Sequence, residues 1–197
     1  MSPLLPGNTA LLLIDLQNAI DHPSWGRRNN PDAEANIAQL LAAFRAQARP
    51  VVHVKHVSTE PHSTYRPDQA GCDFKDVAAP HAGETVLEKR VHSAFIGTGL
   101  ETLLRERGWT TLVVVGVITN NSVEATVRMA ADLGFSVVVV SDATFTFDRR
   151  DLEGELHPAE RVHALSLSNL QGEYAAVRSA GEVLAGLVDG VELMGDP

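Results

Sequence analysis

Short apolar runs alternating with helical stripes leave this 197-residue chain few possible folds. Ala10-Leu11-Leu12-Leu13-Ile14, Leu112-Val113-Val114-Val115 and Val137-Val138-Val139-Val140 are unbroken apolar stretches. Strands buried on both faces read this way, because neither face meets water. The β-branched stretch 50–57 reads as another strand, 85–87 as a short one and 174–177 as a last one. Ile37, Leu40, Leu41 and Phe44 form one stripe of a helix over 32–48. Further helices are predicted over 97–107, 122–133, 157–170 and 180–188. The alternation predicts an α/β fold, a three-layer, doubly wound, Rossmann-like sheet of about six mostly parallel strands with helices on both faces. The length fits a single domain over 1–197.

Net charge is −9, and no basic cluster tracks a phosphate backbone, so no nucleic-acid partner is expected. No apolar stretch approaches the ~18 residues of a bilayer span, so no membrane partner is expected either. Residues 1–7 carry no basic segment before their apolar residues, which argues against a signal peptide. A lone cysteine, Cys72, allows no internal disulfide and fits a reducing cytoplasm. The polar, Pro- and Gly-punctuated segment 58–83 is the longest irregular stretch, of the kind that forms binding loops.

Ligands of open α/β sheets gather at the carboxyl ends of the strands. Asp15 directly follows the first apolar run, Lys89 follows Val86-Leu87, and Ser122 follows the run that breaks at Gly116. Ser122 also falls where a helix begins, and helix N-termini stabilise a forming anion. Each residue has a plain structural alternative: Asp15 as a turn cap, Lys89 as a surface charge, Ser122 as an N-terminal helix residue. Their shared placement puts an acid, a cation and a hydroxyl at one crevice.

Four segments together resemble the isochorismatase-like hydrolases, also called the cysteine hydrolase superfamily. They are Leu12-Leu13-Ile14-Asp15-Leu16-Gln17-Asn18, Lys89-Arg90-Val91-His92-Ser93-Ala94-Phe95, Gly116-Val117-Ile118-Thr119-Asn120-Asn121-Ser122-Val123 and Ser141-Asp142-Ala143-Thr144. The resemblance runs almost the full length. It implies that Asp15 is a general acid/base and Lys89 a cation that polarises the site. It also implies a cis Val117–Ile118 bond that turns the Ile118 N–H toward substrate, beside the N–H of residue 122, as an oxyanion hole. Thr119, Phe95 and Trp25 are further candidates for the substrate-binding wall. A homo-oligomer is also implied.

The departure is Ser122, because amide-cleaving members carry Cys there. A serine hydroxyl needs a base to take its proton during attack, whereas a thiol ionises near ~8.5. Three readings follow. The chain hydrolyses a small amide, imide or related carbonyl substrate through Ser122 or an activated water. Alternatively it cleaves a vinyl ether without a protein nucleophile, as the resemblance to true isochorismatases implies. In the third reading Ser122 marks an inactive or ligand-binding variant that keeps the fold.

No cofactor is expected. Asp15-Leu16-Gln17 replaces the Gly-rich turn that a dinucleotide requires, and the P-loop pattern is absent. No metal is expected either. His53 and His56 fall on opposite faces of a strand, and Val54-Lys55-His56 lacks the Asp of the zinc-binding Asp-x-His element found in related nicotinamidases. His62, His92, His157 and His163 read as solvated or hydrogen-bonded, and Arg27-Arg28 as a solvated pair.

Overall fold

The computed structural model describes residues 5–188. The first residues of the N-terminal stretch 1–7 therefore lie outside the described part. Six strands form one sheet: β1 (Thr9–Ile14), β2 (Val51–His56), β3 (Thr85–Lys89), β4 (Thr111–Val117), β5 (Ser136–Phe145) and, after a short hairpin of β6 (Arg149–Arg150) and β7 (Leu156–His157), β8 (Ala176–Arg178). Every pairing within the sheet is parallel, in the order β3-β2-β1-β4-β5-β8.

Helices cover both faces, and the period-two alternation of strand side chains explains which helix packs where. Leu11, Leu13, Val113 and Val115 face α1 (Ala33–Ala46) through Ile37, Leu40, Leu41 and Phe44, and α5 (Ala180–Val188) through Val183 and Leu187. Leu12, Ile14, Leu112 and Val114 face the other way. They meet Leu100 and Leu104 of α2 (Leu100–Glu106), Val127 and Ala130 of α3 (Glu124–Asp132), and Leu167 and Leu170 of α4 (Ala159–Leu170). This is the three-layer, doubly wound sheet that the alternation predicts.

Several boundaries differ from the sequence reading. α2 starts at Leu100 rather than near 97, because Gly97 and Gly99 take φ of 72° and 76°. The predicted helix from Ser122 begins instead with a single π-turn, Thr119–Val123, in which the Val123 N–H reaches back to the Ile118 carbonyl at 3.2 Å. β5 does not stop at Val140 but continues to Phe145. Its polar residues are satisfied from afar: Asn36 Nδ2 donates to the Asp142 carbonyl, and the Ala180 N–H donates to Asp142 Oδ1. The β6–β7 hairpin carries no apolar alternation and was not expected.

The strand order turns back between β1 and β4, so the crevice at their carboxyl ends is the switch point of the sheet. Gly116 makes that crevice possible. Its φ is +113°, and a Cβ there would lie 2.2 Å from the Ile14 carbonyl oxygen and 2.7 Å from the Ile14 nitrogen. Both neighbours are backbone of Ile14, the last residue of β1, so nothing inexpensive can yield. Gly116→Ala is expected to lower unfolding free energy by about 3 kcal/mol, read by urea denaturation. A loss within experimental error would mean that the two strands separate freely.

Candidate active site

Asp15 follows β1 with φ 53°, a left-handed conformation that a short polar side chain tolerates. Lys89 ends β3 in register with His56, the last residue of β2. Its side chain passes beneath the end of β2 to reach the crevice. There its ammonium donates to Asp15 Oδ2 at 2.7 Å, to Ser122 Oγ at 3.2 Å and to the Val91 carbonyl at 3.1 Å. His56 Nδ1 lies 3.5 Å away. The Lys89 side chain is 0% exposed and that of Asp15 is 7% exposed, so acid, cation and hydroxyl meet out of bulk water.

Burial moves the local proton equilibria. It pushes the Asp15 carboxyl above its ordinary value of 3.8, against the opposing pull of Lys89 and the Ser122 hydroxyl. Burial also pushes His56 down to about 4, with Lys89 and His92 adding repulsion. His56 is thus neutral at pH 7 and presents an acceptor to Lys89. Asp15 Oδ1 is buried and has no hydrogen-bond partner among the described residues, which leaves one carboxyl oxygen uncommitted.

Above these groups is a cavity of about 150 Å³ whose wall includes Trp25, Tyr65, Ile118 and Asn121, with Asp15 and Ser122 at its base. The Val117–Ile118 peptide is cis. Trp25 stacks on Phe147 at 5.4 Å and meets the Tyr65 ring edge-on at 6.5 Å. Its indole N–H is held by the Ala19 carbonyl at 2.9 Å. Gln17 ties the margin together. Its amide donates to the His56 and Cys72 carbonyls, both at 2.9 Å, and accepts from the His56 N–H at 2.7 Å.

A family profile described as the isochorismatase domain matches residues 9–181. The chain belongs to the isochorismatase family. The uncharacterized isochorismatase family protein YrdC of Bacillus subtilis is 37% identical over 175 residues, which cover 89% of this chain and 94% of YrdC. A crystal structure of an isochorismatase-family protein from Chromobacterium violaceum is similar with a TM-score of 0.92 at 53% identity, covering 95% of this chain and 97% of that one. Ureidoacrylate amidohydrolase RutB of Pseudomonas syringae pv. syringae is 29% identical over 174 residues, 71% of each chain.

At this crevice Asp15, Lys89, Ser122, Ile118 and Trp25 converge, whereas Thr119 and Phe95 do not line the cavity. Thr119 is fully buried and bound through Oγ1 to His163 Nδ1 at 2.9 Å. Phe95 packs on Phe135 at 5.8 Å, in the apolar layer beneath α2 and α3. Of the expected solvated pair, Arg27 is solvated, its half-exposed side chain binding Asp148 and Glu160, whereas Arg28 is largely covered, binding Glu34 and lying over the Phe145 ring. His56, Ser63, Tyr65, His92 and Asn121 are wall residues that the sequence reading did not nominate. His92 and Asn121 lie inside the motifs that carried the resemblance. Ser63 and Tyr65 come from the irregular loop, which offers no periodicity to read.

Cys72 is buried beside the Gln17 amide and lines no part of the Asp15 cavity. Val54, at the position of the missing zinc ligand, is a fully buried strand residue. One cluster among the described residues has ligand atoms within 4.8 Å of one another, namely Asp151, Glu155 and His157 on the β6–β7 hairpin. Asp151 there is already bound to His157 at 2.7 Å and to the N–H groups of Glu153 and Glu155.

Proposed function

We propose that this isochorismatase-family chain hydrolyses the C–N bond of a small amide, imide or related carbonyl compound at Asp15, Lys89 and Ser122. The observation that carries the reading is the buried Lys89 ammonium, bound to Asp15 and Ser122 at once under a small cavity. Similarity to an amidohydrolase supports the class of reaction. In this reading Ser122 stands where amide-cleaving relatives carry cysteine, and Trp25 and Ile118 hold the substrate.

The steps follow from the chemistry of the groups. Ser122 Oγ attacks the carbonyl carbon, and its proton passes to Asp15, whose Oδ1 is free to take it. The tetrahedral oxyanion faces the N–H groups of Ile118 and Ser122. Asp15 returns the proton to the departing nitrogen as the C–N bond breaks. Water then attacks the acyl ester, giving a proton to Asp15, and Asp15 passes that proton to the departing Ser122 Oγ as the acid product leaves. Lys89 keeps the Asp15 carboxylate charged between these transfers. Its bond to Ser122 Oγ occupies one lone pair of the hydroxyl and leaves the other for attack on the carbonyl carbon.

Two substitutions at one position test this. Ser122→Ala is expected to lower amide turnover by at least about 100-fold, and retained turnover would assign the attack to water. Ser122→Cys is expected to raise amide cleavage and to yield a thiol adduct at residue 122, located by mass spectrometry, because a thiol ionises readily beside Lys89. Adducts at Cys72 alone would count against position 122 as the nucleophile site.

A further inference from the structure

The segment Ser141-Asp142-Ala143-Thr144, part of the resemblance, contributes nothing to the wall of the Asp15 cavity. Here β5 loses step with β4: Val114 pairs with Val139, but Gly116 pairs with Thr144. The residues between bulge, and their carbonyls are freed from the ladder. Neighbouring elements hold the bulge in place. Asn30 Nδ2 donates to the Ser141 and Thr144 carbonyls at 2.8 and 2.7 Å, and Asn36 Nδ2 of α1 donates to the Asp142 carbonyl at 2.8 Å. Ser141 Oγ donates to the Arg178 carbonyl of β8 at 3.2 Å.

His163 of α4 takes its orientation from this bulge. Its Nε2 lies 2.9 Å from the Ser141 carbonyl, which can only accept, so Nε2 carries the proton. Nδ1 of the neutral ring is left as an acceptor, and at 2.9 Å it takes the Thr119 hydroxyl proton. Burial pushes the His163 pKa below 6.5, against the pull of the Ser141 carbonyl, so the ring is neutral at pH 7. Imidazole and hydroxyl are both buried.

Thr119 opens the π-turn that carries Ser122, directly after Ile118. The backbone of that turn closes on one atom, the Ile118 carbonyl, which accepts the N–H groups of Asn121 and Val123 at 3.0 and 3.2 Å. A turn closed on one carbonyl depends on side-chain anchors to hold its angle to the sheet. Asn120 Oδ1 supplies one by accepting from Thr146 Oγ1 at 2.5 Å, and Thr119 supplies a second from the interior.

We propose that His163 is a positioning residue for the amide hydrolysis: it holds Thr119, and through it the turn whose Ile118 and Ser122 N–H groups meet the oxyanion. The proposal rests on the hydrolase reading above. The effect falls on the chemical step rather than on binding. Thr119 and His163 are not in the wall of the Asp15 cavity, whereas a shift of the two donors weakens the transition state.

The test separates kcat from KM for an amide substrate. His163→Phe keeps a flat buried ring without the acceptor, and is expected to lower kcat by about 10- to 100-fold with KM within about twofold. Thr119→Val removes the matching donor at nearly the same volume and is expected to do the same. The double variant is expected to lose no more than either single one, since each removes the same bond. His163→Asn, whose Oδ1 replaces Nδ1, and Thr119→Ser are expected to recover most of kcat. A packing role alone would follow side-chain volume rather than the acceptor. Losses that multiply in the double variant, kcat retained in Thr119→Val, or a loss that neither His163→Asn nor Thr119→Ser relieves overturns the inference and leaves the hydrolase reading standing. If His163→Phe does not fold, Thr119→Val and Thr119→Ser carry the comparison. If the wild-type protein turns over no amide, the hydrolase reading falls and amide hydrogen exchange of residues 118–123 decides. Exchange that quickens in Thr119→Val and slows again in Thr119→Ser upholds the anchor, and unchanged exchange overturns it.

Discussion

Asp15→Asn is expected to reduce kcat/KM for an amide substrate by about 1,000-fold, because an amide side chain neither takes nor returns the proton that moves through Asp15. The pH profile gives a second readout. Burial raises the Asp15 pKa, so the acid limb of the wild-type profile is expected above 3.8. Below its midpoint Asp15 is protonated and cannot accept, so activity falls as pH falls. The residual activity of Asp15→Asn should lack this limb. The same shift sets a stability slope. The native chain holds this proton more tightly than the unfolded chain does, so ionising Asp15 lowers stability as pH rises through the window above 3.8. Absence of turnover in the wild-type protein, with Asp15→Asn altering only ligand affinity, would identify a binding protein on a hydrolase fold.

Lys89→Met is expected to remove activity and to cost about 3–5 kcal/mol of stability, since it leaves the Asp15 carboxylate buried without its cation. Methionine approximates the length and apolar character of the buried lysine stem, so the loss reports the charge rather than a void. Without the cation the Asp15 pKa rises further, so less of the carboxyl is in the charged form that acts as a base. The double variant Asp15→Leu with Lys89→Met is expected to recover most of the stability and none of the turnover, because an apolar pair of similar size does not incur the cost of burying charge. Urea unfolding of the three variants gives the coupling. A loss below about 1 kcal/mol in Lys89→Met, typical of an exposed pair, would show that the ion pair contributes little.

Asp15 and Ser122 were legible as site candidates because each closely follows an apolar run, and the end of a buried strand in such a sheet is the mouth of a crevice. Lys89 was legible as a strand-end residue, and its part in the site came from the motif around it. The wall was legible only in part. Trp25 and Ile118 were nominated, but Tyr65 and Ser63 sit in a loop whose conformation follows from contacts such as the Tyr65 hydroxyl to the Asp15 carbonyl, fifty residues away in sequence. Thr119 was placed in the wall by its motif, yet its side chain turns inward because His163 of α4 offers a buried acceptor.

The sequence by itself determined the layers and their order, since runs of buried strand and stripes of helix are local patterns that record which residues lose water. It also determined which residue types stand at the strand ends. Only the tertiary structure decided that Lys89 reaches Asp15 across a separation of 74 residues and that Gly116 lets β4 close on the end of β1. Those outcomes depend on distances between segments far apart in the chain, and no local periodicity encodes such a distance.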